Sequence, residues 1–153
     1  MGTRGAIAVG TLAKWSGVYN HWDSYPEGLG ADVWEVLTSP DGIEKYKMAI
    51  TEHPGGWSSF PEKCYCHSEF AQRDGSAAKD SQFYKVDAPS GQMTNENADA
   101  LFIEWVYVLD ENEMALHILE SYSTGNGYAH KWVKSLRIGD YEPDWGSLWG
   151  ETE

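Results

Sequence analysis

The chain reads as an α+β protein, with a mainly antiparallel sheet of about five strands and two short helices packed on one face. Three observations predict this class. Leu101 to Leu109 is an unbroken β-branched and aromatic run, followed by the polar turn Asp110-Glu111-Asn112-Glu113 and a returning run, Met114 to Glu120. Apolar residues at helical spacing are confined to residues 31–52. The length, 153 residues, suits one domain that buries roughly 70% of its unfolded surface, enough for a core without disulfide or metal staples.

The elements follow in order. Residues 6–22 read as a hairpin, with Ala6 to Trp15 as the outgoing strand, Ser16-Gly17 as the turn and Val18 to Trp22 as the return. Asp23 to Gly30 concentrates Pro26, Gly28, Gly30 and Ser24, which is turn chemistry, and it carries Tyr25 and Leu29 as anchors. In 31–52, Val33, Trp34 and Leu37 form one helical face. A second helix begins at Ser39-Pro40-Asp41, with Ser39 as cap and Pro40 in the first position, and presents Ile43, Tyr46, Lys47 and Ile50. It ends at His53-Pro54-Gly55-Gly56.

Residues 57–99 are loop-rich, with one short strand expected at Gln82 to Val86, because Gly, Pro, Ser and Asp interrupt every apolar run. Residues 101–138 form an antiparallel meander, its last strand being Tyr128 to Ile138. Phe102, Val106 and Val108 alternate with Leu101, Ile103, Trp105, Tyr107 and Leu109, so the first strand of the meander is central and covered on both sides. The acidic tail, 139–153, docks through Trp145, Leu148 and Trp149.

Composition excludes several function classes. Twenty-four acids against eleven Lys and Arg give a net charge of −13, which argues against direct nucleic-acid binding. Eight acids and no Lys or Arg lie in the 45 residues between Lys85 and Lys131. That stretch supplies a candidate surface for a basic protein partner, centred on Glu104, Asp110, Glu111 and Glu113. No apolar run reaches membrane-spanning length and no secretory leader is recognisable, so a cytoplasmic location without membrane contact is expected. Phosphate loops, dinucleotide fingerprints, nucleophile elbows and zinc-protease motifs do not occur, and no cofactor is expected.

The best candidate site is Tyr19 to Pro26 with its flanking residues. His21 can exchange a proton near neutral pH, Asp23 can orient it, and Trp22 and Tyr25 can stack on a planar ligand. Arg4, with backbone amides exposed by Gly28 and Gly30, can hold an anion such as a nucleotide-like small molecule. The competing reading makes these residues a structured turn. His53, Cys64, Cys66 and His67 are competent zinc ligands at poor spacing, and free thiols are the expectation there.

Met1-Gly2-Thr3-Arg4-Gly5 and Tyr19-Asn20-His21-Trp22-Asp23-Ser24-Tyr25-Pro26-Glu27-Gly28-Leu29-Gly30 together resemble a family of small bacterial and phage proteins with no assigned activity. The likeness extends to Cys64-Tyr65-Cys66-His67 and to Glu104-Trp105-Val106-Tyr107-Val108. It implies an accessory gene, phage-borne or mobile, and transfers no catalytic residue. A weaker likeness is to amidotransferases and related hydrolases with an N-terminal nucleophile, and this chain departs from them because removal of Met1 leaves Gly2.

The expected function is therefore binding, as an acidic accessory factor, counter-defence included, that engages a host protein or a small anionic ligand. The alternatives are a small hydrolase or transferase using His21 and Asp23, and a zinc-stabilised domain.

Overall fold

The computed structural model describes residues 3–52, 56–61, 63–64, 93–96, 98, 103–139 and 141–145. Within them the class is α+β. The strands are β1 (Gly5–Gly10), β2 (Trp15–Asn20), β3 (Trp57–Ser59), β4 (Lys63–Cys64), β5 (Met93–Thr94), β6 (Trp105–Asp110), β7 (Ala115–Ser123) and β8 (Tyr128–Arg137). They form one sheet in the order β4-β3-β2-β1-β6-β7-β8, with β5 paired to β2. The five strands of six residues or more, β1, β2, β6, β7 and β8, carry the sheet. Pairing is antiparallel except at β1/β6 and β2/β3.

The sheet's two faces bury different sets of residues. On the first face, Ile7, Val18, Tyr107, Leu109, Leu116 and Ile118 pack under the helices α1 (Ala31–Leu37) and α2 (Gly42–Thr51). On the second face, Ala6, Ala8, Trp15, Tyr19, Val106, Val108 and Leu119 form a separate cluster with Met93 and Ile103. β6 is central and fully buried along its length, as its two-sided apolar pattern predicts. Its hairpin with β7 has the expected turn, Trp105 to Asp110 facing Glu120 to Ala115. Among the described residues no helix is long and apolar enough to cross a membrane.

Three local expectations are corrected. The first hairpin turns at residues 11–14, not at Ser16-Gly17, which lie inside β2. Gly10 at φ +139° starts the turn, and Thr11 and Lys14 close it with a 2.8 Å backbone bond. Gly17 is a close-approach residue, since a Cβ there would stand 2.6 Å from the Ala8 Cα across the strand pair. Ser39 does not cap α2. Its hydroxyl donates back to the Val36 carbonyl at the end of α1 (2.6 Å), and α2 starts at Gly42 behind Asp41, at φ +57°. Lys47 lies at the rim of α2 and pairs with Glu111 at 3.4 Å, while Tyr46, Ala49 and Ile50 are buried. Val33, Trp34 and Leu37 bury the expected face of α1, and Trp145 of the tail packs edge-on against Trp34. The strand expected at Gln82 to Val86, and Leu148 and Trp149, lie outside the described residues.

Candidate functional site

The β1–β2 register places Arg4 and residues 21–24 at one end of the sheet. Ser24 N–H donates to the Thr3 carbonyl at 2.9 Å, and Glu104 N–H donates to the Arg4 carbonyl at 2.9 Å. The segment after β2 then closes on itself. Asn20, fully buried, donates from Nδ2 to the Trp22 carbonyl and to Ser24 Oγ, both at 2.9 Å, and its Oδ1 accepts the Phe60 N–H at 2.9 Å. The Tyr107 hydroxyl donates to the Ser24 carbonyl at 2.6 Å. Asp23, at φ +54°, accepts the Leu29 N–H on its carbonyl, and its carboxylate beside the Tyr25 hydroxyl raises that phenol above its ordinary pKa.

Gly28 and Gly30 have their Cα faces filled from within the protein. A Cβ on Gly28 would meet the Asp23 backbone, and one on Gly30 would lie 3.0 Å from the Trp145 ring and 3.2 Å from that of Tyr107. His21 Nδ1 lies 2.6 Å from the Tyr19 hydroxyl, and its ring meets the half-exposed Trp22 edge-on at 4.7 Å. The loop thus brings Arg4, His21, Trp22, Asp23 and Tyr25 to one end of the sheet around a knot of backbone-satisfying bonds.

The acidic surface is altered more strongly. Asp110 is buried (2% exposed) and cannot meet a partner, which corrects its assignment to a docking surface. The alternation of β6 puts it on the face of Val106 and Val108. Glu104 reaches back to the Arg4 N–H at 3.3 Å, and Glu111 pairs with Lys47. Cys64 belongs to β4, while His53, Cys66 and His67 lie outside the described residues.

A second constellation lies on the second face, on residues that no sequence motif marks. His117 of β7 is 2% exposed. Its Nε2 is 3.2 Å from Asp110 Oδ2 and its Nδ1 is 2.6 Å from Ser135 Oγ of β8. Asp110 Oδ1 accepts the Asn112 and Glu113 N–H groups of the β6–β7 turn at 3.0 and 3.3 Å, so this carboxylate is held as an acceptor. The two ring nitrogens of His117 thus face a carboxyl group on one side and a hydroxyl on the other, the neighbours that a proton-relaying imidazole needs. Trp132 Nε1–H donates to the same Ser135 Oγ at 2.8 Å. Glu113 adds a carboxylate, and one donor atom each from Asp110, Glu113 and His117 lie within 4.8 Å of one another, a spacing that fits a divalent cation.

The β7–β8 register assembles this group. His117 faces Ser135, and a bulge at Ile118/Leu119 shifts the pairing so that Leu119 faces Trp132. The extra residue on β8 turns Trp132 to the face of Ser135, three positions away, where ordinary alternation would point it to the opposite side. Past Trp132 the same face opens into a groove of about 390 Å³, lined by Trp15, Leu119, Tyr128, His130, Glu96 and Trp132 among others. Asn95 fixes one wall, donating to the Ala13 carbonyl at 3.0 Å and accepting the Trp15 N–H at 3.2 Å. His130 Nε2 lies 2.7 Å from the Ile103 carbonyl, and burial pushes its pKa below the ordinary histidine value. Only a hint of this was readable in advance, in the lone histidine within the apolar run Ala115-Leu116-His117-Ile118-Leu119. Comparison with protein-family models, curated proteins and solved structures finds no match.

Proposed function

We propose that the protein works by binding, as an acidic accessory factor of the cytoplasm whose ligand is a small planar molecule held in the groove on the second face. The groove carries the reading. Its size, about 390 Å³, is that of a small-molecule site, and its walls offer Trp15, Tyr128, His130 and Trp132 for ring contacts. Among the described residues no Lys or Arg lines it and Glu96 does, within a chain of net charge −13, so the favoured ligand is neutral or cationic rather than a nucleotide-like anion. A basic protein partner is the weaker reading, because Asp110 is buried and Glu104 and Glu111 engage Arg4 and Lys47 within the chain. The likeness of the N-terminal segments to small bacterial and phage proteins supports the accessory role.

Adenosine, a neutral planar probe, and adenosine 5′-monophosphate test this by thermal denaturation and tryptophan fluorescence. At millimolar concentration adenosine is expected to raise the melting temperature and quench fluorescence, the monophosphate to do less, and Trp132→Ala to abolish both effects. A monophosphate that binds as well as or better than adenosine, or binding indifferent to Trp132→Ala, overturns the groove as the site.

A further inference from the structure

We propose that Asp110, His117 and Ser135 form a nucleophilic relay that makes Ser135 acylable, so that the protein cleaves small neutral carboxylic esters. The relay runs across three adjacent strands, with Asp110 at the end of β6, His117 in β7 and Ser135 opposite it in β8. The relay uses one of the proton arrangements that these contacts allow. Asp110, held by two turn amides, accepts from His117 Nε2–H at 3.2 Å, and the lone pair of Nδ1 faces the Ser135 hydroxyl at 2.6 Å. A general base acting on a serine needs that protonation pattern and that reach, and either ring nitrogen serves while an acceptor holds the other. Burial divides the roles in the same way. Asp110 and His117 are sealed from water, whereas Ser135 is exposed and open to a substrate.

Trp132 supports the assignment from the other side of the hydroxyl. Its indole N–H, 2.8 Å from Ser135 Oγ, stabilises negative charge on that oxygen as the proton leaves. The β8 bulge serves this contact, since without it Trp132 points to the opposite face. Trp132 also lines the groove, so one side chain belongs both to the groove wall and to the Ser135 contact. The choice of a neutral ester rests on the groove reading, while the reactivity of Ser135 does not.

In the reaction, Ser135 Oγ attacks the ester carbonyl carbon, its proton passes to His117 Nδ1, and the carbonyl π electrons move to oxygen. Collapse re-forms the carbonyl and breaks the bond to the leaving alkoxide, which takes the proton from Nδ1 and departs as the alcohol. Water then attacks the acyl-serine, giving its proton to Nδ1, and the carboxylic acid leaves as Ser135 Oγ recovers that proton. Asp110 positions His117 and remains a carboxylate throughout.

The test is labelling of the full chain by an alkyl fluorophosphonate, in which Ser135 Oγ bonds to phosphorus and fluoride leaves, read by intact mass and peptide mapping. One adduct per chain is expected, on Ser135, with Ser121 and Ser123 of the neighbouring strand unmodified. Ser135→Ala, on an exposed edge-strand position, should keep the fold and lose the adduct. His117→Gln should slow labelling about 100-fold or more with an unchanged circular-dichroism spectrum. If His117→Gln fails to fold, Ser135 as the nucleophile is tested without it by a nitrophenolate burst of one equivalent from p-nitrophenyl acetate, expected in the wild type and absent in Ser135→Ala, and a wild type without a burst overturns the relay. Labelling spread over several serines, labelling of Ser135 unchanged in a folded His117→Gln, or no adduct in both zinc-loaded and chelator-treated protein overturns the relay. The last result, with one zinc bound per chain, would make Asp110, Glu113 and His117 a metal site instead.

Discussion

Asn20 and Tyr107 show why a segment as polar as Tyr19 to Gly30 lies against a core. The Asn20 amide satisfies the Phe60 N–H, the Trp22 carbonyl and the Ser24 hydroxyl, and Tyr107 reaches through the apolar layer to the Ser24 carbonyl. Buried polar groups left without partners are costly, so Asn20→Ala should lower stability by about 2–3 kcal/mol in denaturant titration. His21→Ala and Trp22→Ala, which remove rings from outside that network, should change it by under about 1 kcal/mol. Tyr46 does the same between strands, its hydroxyl accepting the Ala8 N–H at 3.0 Å and donating to the Tyr107 carbonyl at 2.6 Å. His130 adds a pH signature. Its folded pKa is depressed by burial, and the unfolded chain takes up a proton near ~6.5, so folding favours the neutral ring. Stability contributed this way is present above ~6.5 and is lost as pH falls toward the lower folded pKa. Melting curves between neutral pH and pH ~5 should therefore fall less steeply in His130→Gln than in wild type.

At the scale of elements, what was readable in the sequence is what local pattern encodes. The alternation of β6, the polar β6–β7 turn and the Val33, Trp34, Leu37 face of α1 each follow from side chains a few positions apart. The turn of the first hairpin was misread because Ser16-Gly17 has turn chemistry while serving packing. Gly17 is required by Ala8 across the pair, a contact that sequence spacing does not report. Ser39 has the chemistry of a helix start and instead completes the end of α1. The Asp110–His117–Ser135 group leaves only the hint of a lone histidine in an apolar run, for a related reason. His117 and Ser135 are 18 positions apart and meet only through strand register, and Trp132 joins them only through a bulge. The loop at Tyr19 to Gly30 stands out in the sequence because turn residues and site residues are the same types. Gly17→Ala tests the packing claim. A Cβ facing the β1 backbone has nowhere to move, and a loss of about 3 kcal/mol is expected with the β1–β2 pairing itself disturbed.

Across the whole molecule, charge is the least balanced quantity, and its effect differs with the role assigned to the acids. At −13 the folded chain repels itself more than the expanded unfolded chain does, and salt screens that repulsion over roughly 8–10 Å. Lys47–Glu111 is an ion pair with both side chains substantially exposed, and His117 meets Asp110 in a buried contact. The first, worth about 0–1 kcal/mol or less, does not offset the imbalance. The melting temperature should accordingly rise as sodium chloride is raised from low to physiological concentration. Glu113→Lys sharpens the argument, because Glu113 lies exposed beside the buried Asp110 carboxylate. Reversing it removes one repulsion and adds an attraction, so the variant should melt higher at low salt and show a shallower salt dependence. Glu111→Lys removes a repulsive acid and also forfeits the Lys47 contact, and should move the melting temperature less. A melting temperature that falls with added salt, or a Glu113→Lys variant less stable than wild type at low salt, would mean that these acids are held by attractive partners within the fold rather than repelling one another on its surface.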